Sequence, residues 1–281
     1  MRFRAKLLDI TCIDHLSRVV STLARSVKAC VLRLSSDKVC FVISGGRGPV
    51  GGANIWCELS QSNVFDEYRI EGKDESNEIY LELNIEQLSR ALKSALTAQV
   101  LKIKLTKKQG PCLTLEILLP TMTGAHRTVV HDIPVAVVPV RLWPDYQEPD
   151  MPEIDVSIYL PPLKLLKNIV DRMKTMSNFV TISANMNGEL NIKLQTDSVT
   201  VTTYFKDLQN HHFQDTSMSE SRDNDLTMCE ARVDIRKFSQ FVQGQFVPTK
   251  VICNVIDGRG LQIFLLHEDV SLQYYIPAVS T

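Results

Sequence analysis

The chain has 281 residues, 44% of them apolar and 22% charged, with a formal net charge of −1. These are the values of a soluble globular protein, long enough for one large domain or for two of about 130–140 residues that each bury a core. No apolar run reaches the roughly 18 residues of a membrane-spanning helix, and Met1-Arg2-Phe3-Arg4-Ala5-Lys6 alternates like a strand and lacks the apolar core of a signal peptide.

In chain order, alternation predicts a strand over 2–8, a helix from Ile10, strands near 29–35, 38–43 and 53–59, and a further extended segment at Glu67–Glu71. The succession restarts at Glu78-Ile79-Tyr80-Leu81-Glu82-Leu83, with a helix from Ile85 and strands near 100–106, 111–119 and 127–131. A third copy begins at Asp155–Leu160, has its helix after Pro161-Pro162, where missing amide protons cost little, and continues with strands near 179–184, 189–195 and 199–205. The last has a strand at 229–234, a helix running to Gly244 as its C′ residue, and strands near 250–256, 260–266 and 270–276. The pattern is therefore four copies of strand, helix and three strands, an α+β architecture with its helices on one face.

Pro134, Pro139, Pro144, Pro149 and Pro152 mark an extended connector that denies donors to a sheet. The expected division is a first domain over 1–131, a connector over 132–152 and a second domain over 153–281. The polar, acidic stretch Gln209–Met228 is expected to be a surface loop.

Each helix carries a polar stripe at spacings of three and four residues, which places it on one side. The stripes are Asp14, Arg18, Ser21, Arg25 and Lys28; Glu86, Arg90, Lys93 and Thr97; Lys164, Lys167, Asp171 and Lys174; and Arg232, Arg236, Ser239 and Gln243. Apolar stripes lie opposite, as in Leu163, Leu166, Val170 and Met173. Any one stripe could be an ordinary solvated face. Together the continuous segments 9–28, 86–97, 164–174 and 232–243 carry +1, +1, +3 and +2, or +7 in a chain of net −1, so the remainder sums to −8. Positive charge gathered onto one element type of an acidic chain suits a surface for a polyanion, provided all four helices face the same way.

Two pairs of strand–helix–three-strand units joined by a long connector resemble a subunit of the DNA sliding clamps, the family of proliferating cell nuclear antigen. The closer similarity is to the Hus-one subunit family of the nine-one-one DNA-damage checkpoint clamp. It is carried by Met1–Lys6, Ile55-Trp56-Cys57-Glu58-Leu59, Glu78–Leu83, Leu88-Ser89-Arg90-Ala91-Leu92-Lys93, Val156-Ser157-Ile158-Tyr159-Leu160-Pro161 and His267-Glu268-Asp269-Val270-Ser271-Leu272-Gln273-Tyr274-Tyr275. The resemblance implies a sliding-clamp fold with helices lining a hole, and a heterotrimeric ring with two paralogous subunits around double-stranded DNA. It further implies a clamp loader, repair enzymes and checkpoint signalling proteins as partners, no catalytic activity or cofactor, no membrane association, and a nuclear location with some cytoplasmic protein. The DNA-facing candidates are Arg18, Arg25, Lys28, Arg90, Lys93, Lys164, Lys167, Arg172, Lys174, Arg236 and Lys237. Tyr275 and Pro277, in the stretch similar to the clamp's closing strand, are candidates for docking partner peptides or, equally, for closing the second core. Ring contacts would use sheet edges, with Cys112–Leu118 and Phe179–Ala184 as candidates.

A homotrimeric replication processivity clamp is the alternative, and a metal-dependent nuclease on a related fold is a third reading. Dispersed carboxylates speak against the nuclease. Gly46-Arg47-Gly48-Pro49-Val50-Gly51 has the dinucleotide-loop spacing, but it leads into a strand and Pro49 removes a donor. His211-His212 with Asp215, and His267-Glu268-Asp269, fall in a loop and a turn. The cysteines number 7, an odd count at no metal-ligand spacing, as expected of reduced, buried thiols in a cytosolic or nuclear protein.

Overall fold

In the computed structural model, which describes residues 1–44, 54–72, 75–120, 127–148, 153–211, 227–244, 246–268 and 270–279, the repeats form in the expected order. The first comprises β1 (Arg2–Leu7), α1 (Ile10–Ser26), β2 (Ala29–Leu34), β3 (Lys38–Ile43) and β4 (Asn54–Ser60), followed by a one-turn helix α2 (Gln61–Val64) and β5 (Glu67–Glu71). The second comprises β6 (Ile79–Asn84), α3 (Ile85–Lys93), β7 (Val100–Lys107), β8 (Pro111–Leu119) and β9 (Arg127–Val137). A 3₁₀ helix (Val140–Tyr146) precedes β10 (Val156–Tyr159), α4 (Leu163–Met173), β11 (Phe179–Ala184), β12 (Leu190–Gln195) and β13 (Thr200–Phe205). The fourth is β14 (Cys229–Asp234), α5 (Ile235–Val242), β15 (Lys250–Ile256), β16 (Gly260–His267) and β17 (Val270–Pro277).

No repeat keeps its own first strand. β1 pairs with β7 of the second repeat and β6 with β2 of the first, while β10 pairs with β15 and β14 with β11. Pairing of β4 with β17, from Leu59↔Val270 to Asn54↔Tyr275, then joins the two halves. The result is a 13-stranded sheet in the order β10-β15-β16-β17-β4-β3-β2-β6-β9-β8-β7-β1-β5 and a 4-stranded sheet, β13-β12-β11-β14. The pairings among the described residues are antiparallel, so an alternating pattern can cover one face of each strand with helix and leave the other to other contacts.

One face carries the main core. Phe3, Ala5 and Leu7 of β1, Leu272, Tyr274 and Ile276 of β17, and the buried sides of α1, α3, α4 and α5 belong to a single cluster. The opposite face of the central strands is covered by the connector: Trp143 stacks on Tyr80 with ring centroids 4.5 Å apart, beside Val31, Cys40, Val42, Trp56 and Val138. The Trp143 indole N–H donates to the Val138 carbonyl at 3.1 Å, which satisfies its one polar atom. Helices therefore lie on one side of the sheet and the connector on the other.

Three expectations change. β9 runs on through Val137, where Leu81–Leu83 of β6 meet Val135–Val137, so the connector begins as strand. Pro134 sits opposite Cys112 at the last rung of the β8 ladder, where a missing donor costs little. The edges proposed for ring contacts, Cys112–Leu118 and Phe179–Ala184, are interior: β8 lies between β9 and β7, and β11 between β12 and β14. Open edges among the described residues include β13 and the 127–134 side of β9 that faces away from β8. They expose Tyr204 and Val130, and Val199 is exposed just before β13. Gly46–Gly51, His212, Asp215 and Asp269 lie outside the described residues; His211 is described, its ring nitrogen Nδ1 2.9 Å from the Tyr159 hydroxyl beside β10.

Burial pushes the thiols of Cys30, Cys40 and Cys253 up to about 12, with Glu82 adding at Cys30 and Glu58 at Cys40, and it raises Cys57 well above the usual range. Thiolate is the reactive form. Alkylation of the native protein near neutral pH is therefore expected only at the half-buried Cys12, Cys112 and Cys229, the remaining four reacting after denaturation. Peptide mapping that found fast native labelling of Cys57 or Cys253 would contradict this packing.

Candidate nucleic-acid interface

The helices start where the sequence offers caps. Asp9 accepts from the Thr11 amide at 2.8 Å, Asn84 from Glu86 and Gln87 at 3.0 and 3.3 Å, and Asp234 from Arg236 at 2.8 Å. α4 has Pro162 as its N-cap with no side-chain bond. In each repeat the cap follows directly on the first strand or a short turn, so the strand aims the helix.

The helices form one continuous layer. α1 lies against α3, where the Ser21 and Ser89 hydroxyls meet at 3.0 Å, a buried hydrogen bond worth about 1 kcal/mol. On its other flank α1 meets the end of α5. The Phe246 amide donates to Thr22 Oγ1 at 2.9 Å, and Arg25 donates to the Gln243 carbonyl at 2.7 Å. Gln243 in turn donates to Asp171 of α4 at 3.2 Å. The order across the layer is α3, α1, α5, α4, and it bridges both halves of the chain.

Gly244 follows α5 as expected, but its φ is not positive, so left-handed geometry is not what it supplies. A Cβ there would sit 2.7 Å from Thr22 Cγ2. The glycine allows the α5 end to close on α1. His15 and His267 extend this seam, with rings 4.9 Å apart, and Phe246 packs on His267.

The stripes are narrower than spacing implies. Ser21 and Ser239 are buried, and Arg232 belongs to β14, its guanidinium 4.8 Å from the Phe179 ring. Lys28 lies past the end of α1, and Thr97 past α3. Of the candidate cations, Arg18, Arg25, Lys28, Arg90, Lys93, Lys164, Lys167, Arg172, Lys174 and Arg236 are exposed and Lys237 is half-buried. Arg18 pairs with Asp14 at 2.7 Å and Arg90 with Glu86 at 3.6 Å, each one turn away. Arg236 reaches Asn178 at 3.4 Å. Lys164, Lys167, Arg172 and Lys174 make no ion pair among the described residues, so α4 and its end are the most strongly positive part of the layer. The Lys174 position at the C-cap also suits the negative end of the helix dipole.

Tyr275 and Pro277 fall on the face of β17 opposite Leu272, Tyr274 and Ile276, both half-buried. They share this face with the connector but do not line the cleft beside it. That cleft, about 370 Å³, lies between Val31, Val42 and Glu82 on the sheet and Asp145 and Tyr146 of the connector. Next to it, Trp56 and Gln273 are cross-strand partners, and Trp56 Nε1 and Gln273 Nε2 are buried donors with no acceptor among the described residues. Sequence reasoning missed this pair, since pairing of β4 with β17 is a long-range fact.

The seam makes a direct prediction. Gly244→Ala is expected to destabilise the protein by about 1–3 kcal/mol through overpacking. Thr22→Ser, which removes Cγ2 and keeps the hydroxyl, should recover most of that loss in the double variant. Additive costs in denaturant titrations would show that Thr22 is not the clashing partner.

A family model described as Hus1-like protein matches residues 1–280. The chain is 50% identical to human checkpoint protein HUS1 over 100% of both chains. It is 30% identical to the Drosophila melanogaster checkpoint protein Hus1-like over 99% of each, and 29% identical to the Schizosaccharomyces pombe checkpoint protein hus1 over 98% of each. Its fold matches the crystal structure of the proliferating cellular nuclear antigen from Entamoeba histolytica with a TM-score of 0.72, 15% identity and 99% coverage of both chains. The architecture is that of a sliding clamp.

Proposed function

The chain belongs to the Hus1-like protein family, and from that membership and the helix layer we propose that it is a non-catalytic subunit of a heterotrimeric, ring-shaped checkpoint clamp around double-stranded DNA. Two paralogous subunits complete the ring, a clamp loader places it on DNA, and repair enzymes and checkpoint signalling proteins use it as a platform. It works in the nucleus, with a cytoplasmic share. Family membership favours this over a homotrimeric replication clamp. The single observation that carries the DNA part is the layer of helices on one side of the sheets, its exposed cations opposite the connector.

In this proposal the mechanism is electrostatic and sequence-tolerant. The helices have 17, 9, 11 and 8 residues, and at about 1.5 Å per residue they extend roughly 12 to 26 Å. Duplex DNA presents one charge per about 1.7 Å, so each helix passes several phosphates. Lys28, Lys93, Lys164, Lys167, Arg172 and Lys174, long side chains without ion pairs among the described residues, exchange among phosphates without reading bases. Arg18 and Arg90 are held by Asp14 and Glu86 and contribute less. Arg25 contributes also to the seam, where its Nη1 donates to the Gln243 carbonyl and holds the side chain in place. Ring closure uses β9 and β13, which the topology leaves open, with Val130 and Tyr204 among the apolar contacts. Partner peptides use the connector face, with Tyr275, Pro277 and the unpaired donors of Trp56 and Gln273 at its margin. The division into 1–131, 132–152 and 153–281 is part of this proposal, supported by the 3₁₀ helix lying across the outer face of the first half and by β10 restarting the repeat.

Two measurements test it. In solution the purified chain is expected to be a monomer that forms a one-to-one-to-one complex with its two paralogous subunits; a homotrimer without them would restore the replication-clamp reading. In the assembled ring, Lys164→Glu, Lys167→Glu and Lys174→Glu together should weaken retention on duplex DNA and flatten its salt dependence by roughly one unit of slope for each phosphate no longer neutralised. Assembly should survive, because all three side chains are exposed. Unchanged retention at low salt would sink the lined-hole mechanism.

A further inference from the structure

The face of the first sheet turned away from the helices carries a second concentration of positive charge. Phe3, Ala5 and Leu7 of β1 point into the core, so Arg2, Arg4 and Lys6 point out. Leu101 and Ile103 of β7 do the same for Lys102 and Lys104, and Tyr68 and Ile70 of β5 for Arg69. Register then sets the cations side by side: Arg4 lies directly opposite Arg69 on β5 and opposite Lys104 on β7, and Lys6 lies opposite Lys102. Like charges directly across a ladder are unfavourable, yet one row here has three in succession. Lys104 is relieved by Glu116 at 2.5 Å and Lys6 by Glu67 at 3.0 Å, while Arg4, Arg69 and Lys102 have no ion pair among the described residues. The positive potential acts on its surroundings. Glu67 is held below the usual carboxylate range, first by its Lys6 hydrogen bond, with Arg69 and Arg4 adding to it.

Size and border choose the ligand. With strands about 4.8 Å apart and same-face residues about 7 Å apart along each strand, the unpaired cations cover only about 10 by 7 Å. Carboxylates border them at Glu67, Glu71 and Glu116. A duplex laid over this face would bring further phosphates onto those carboxylates, and the outward positions of β1, β5 and β7 hold no aromatic ring on which single-stranded bases could stack. Directly opposite each other on one face of the β1–β5 ladder, Arg4 and Arg69 can offer two guanidinium groups to one dianionic group, the arrangement by which arginine clusters take phosphorylated side chains. We propose that this outer face docks a short acidic peptide through a phosphorylated residue held by Arg4 and Arg69, with Lys102 and Lys104 completing the anion site. The site is separate from the helix layer and from the connector face.

The test uses the full-length chain and fluorescence anisotropy at low and moderate salt. The probes are a labelled peptide with phosphoserine between aspartates, its unphosphorylated twin, and a labelled short duplex. The phosphopeptide is expected to bind more tightly than its twin and to lose about tenfold or more in affinity in the Arg4→Gln, Arg69→Gln variant. Lys164→Gln, Lys167→Gln should leave the peptide unaffected while weakening the duplex, so failure of the lined-hole proposal and failure of this one read out separately. Removing the like-charge row should leave thermal stability unchanged or raised, which separates lost binding from lost folding. Equal binding of the two peptides, or an unaffected affinity in the arginine variant, would overturn the site. Loss of duplex binding in that variant with the peptide unaffected would reassign the face to nucleic acid.

Discussion

The structure depends on an exchange of strands. Each repeat gives its first strand to the neighbouring repeat's sheet, so none can bury its own helix alone. Detached, α1 would have no β7–β9 sheet extending β1, and α3 no β2–β4 sheet extending β6. The β4–β17 ladder repeats the logic one level higher, joining β10 and β15–β17 of the second half to the sheet of the first. Once these pairings form, the alternating pattern leaves the helices no other side to occupy. The common orientation of the basic faces thus follows from strand pairing, and the charges themselves contribute nothing to it.

That orientation concentrates like charge, and the layer manages it unevenly. At α1 and α3 a carboxylate one turn earlier holds the central arginine, and serine hydroxyls seal the contact between the helices. At α4 the only carboxylate, Asp171, is used by Gln243 from α5, and the lysines stay unpaired. Exposed ion pairs add little stability, so their placement tunes field more than fold. The asymmetry makes the α4 side the stronger attractor for a polyanion.

Element positions and the repeat were readable from alternation and from capping residues such as Asp9, Asn84 and Asp234, because those signals are local. What stayed hidden was pairing. Cys112–Leu118 and Phe179–Ala184 have the composition of edge strands as much as of interior ones, and only the topology shows that each has two neighbours. Ser21 and Ser239 continue a polar stripe by spacing but lie buried, since a small hydroxyl satisfies a buried contact as well as a solvated one. Gly244 read correctly as a residue just past a helix, but for a local reason; its actual constraint is Thr22, more than two hundred positions away in the chain. Pro134 suggested an end to pairing and instead occupies a terminal rung.

In the proposed ring, two of the open edges would bear on assembly. β9 presents Val130, His131 and Asp132, the last already tied to Lys108 and Thr114, whereas β13 presents threonines and Tyr204, with Val199 exposed just before it. Surfaces so unlike are poorly suited to pair each with itself across a two-fold axis. An edge of one kind meeting an edge of the other gives a heterologous, head-to-tail contact, and such contacts close into rings when the rotation permits. A chain built this way needs neighbours that each offer the complementary edge. With β9 in the first half and β13 in the second, the helix layer between them becomes one arc of whatever those neighbours complete. Within the chain, the close approach of α5 to α1 rests on the Thr22–Gly244 contact, and the joining of the two halves on the β4–β17 ladder. In the proposed ring, loosening either contact would alter how the β9 and β13 edges are presented to neighbours, although neither contact lies at those edges.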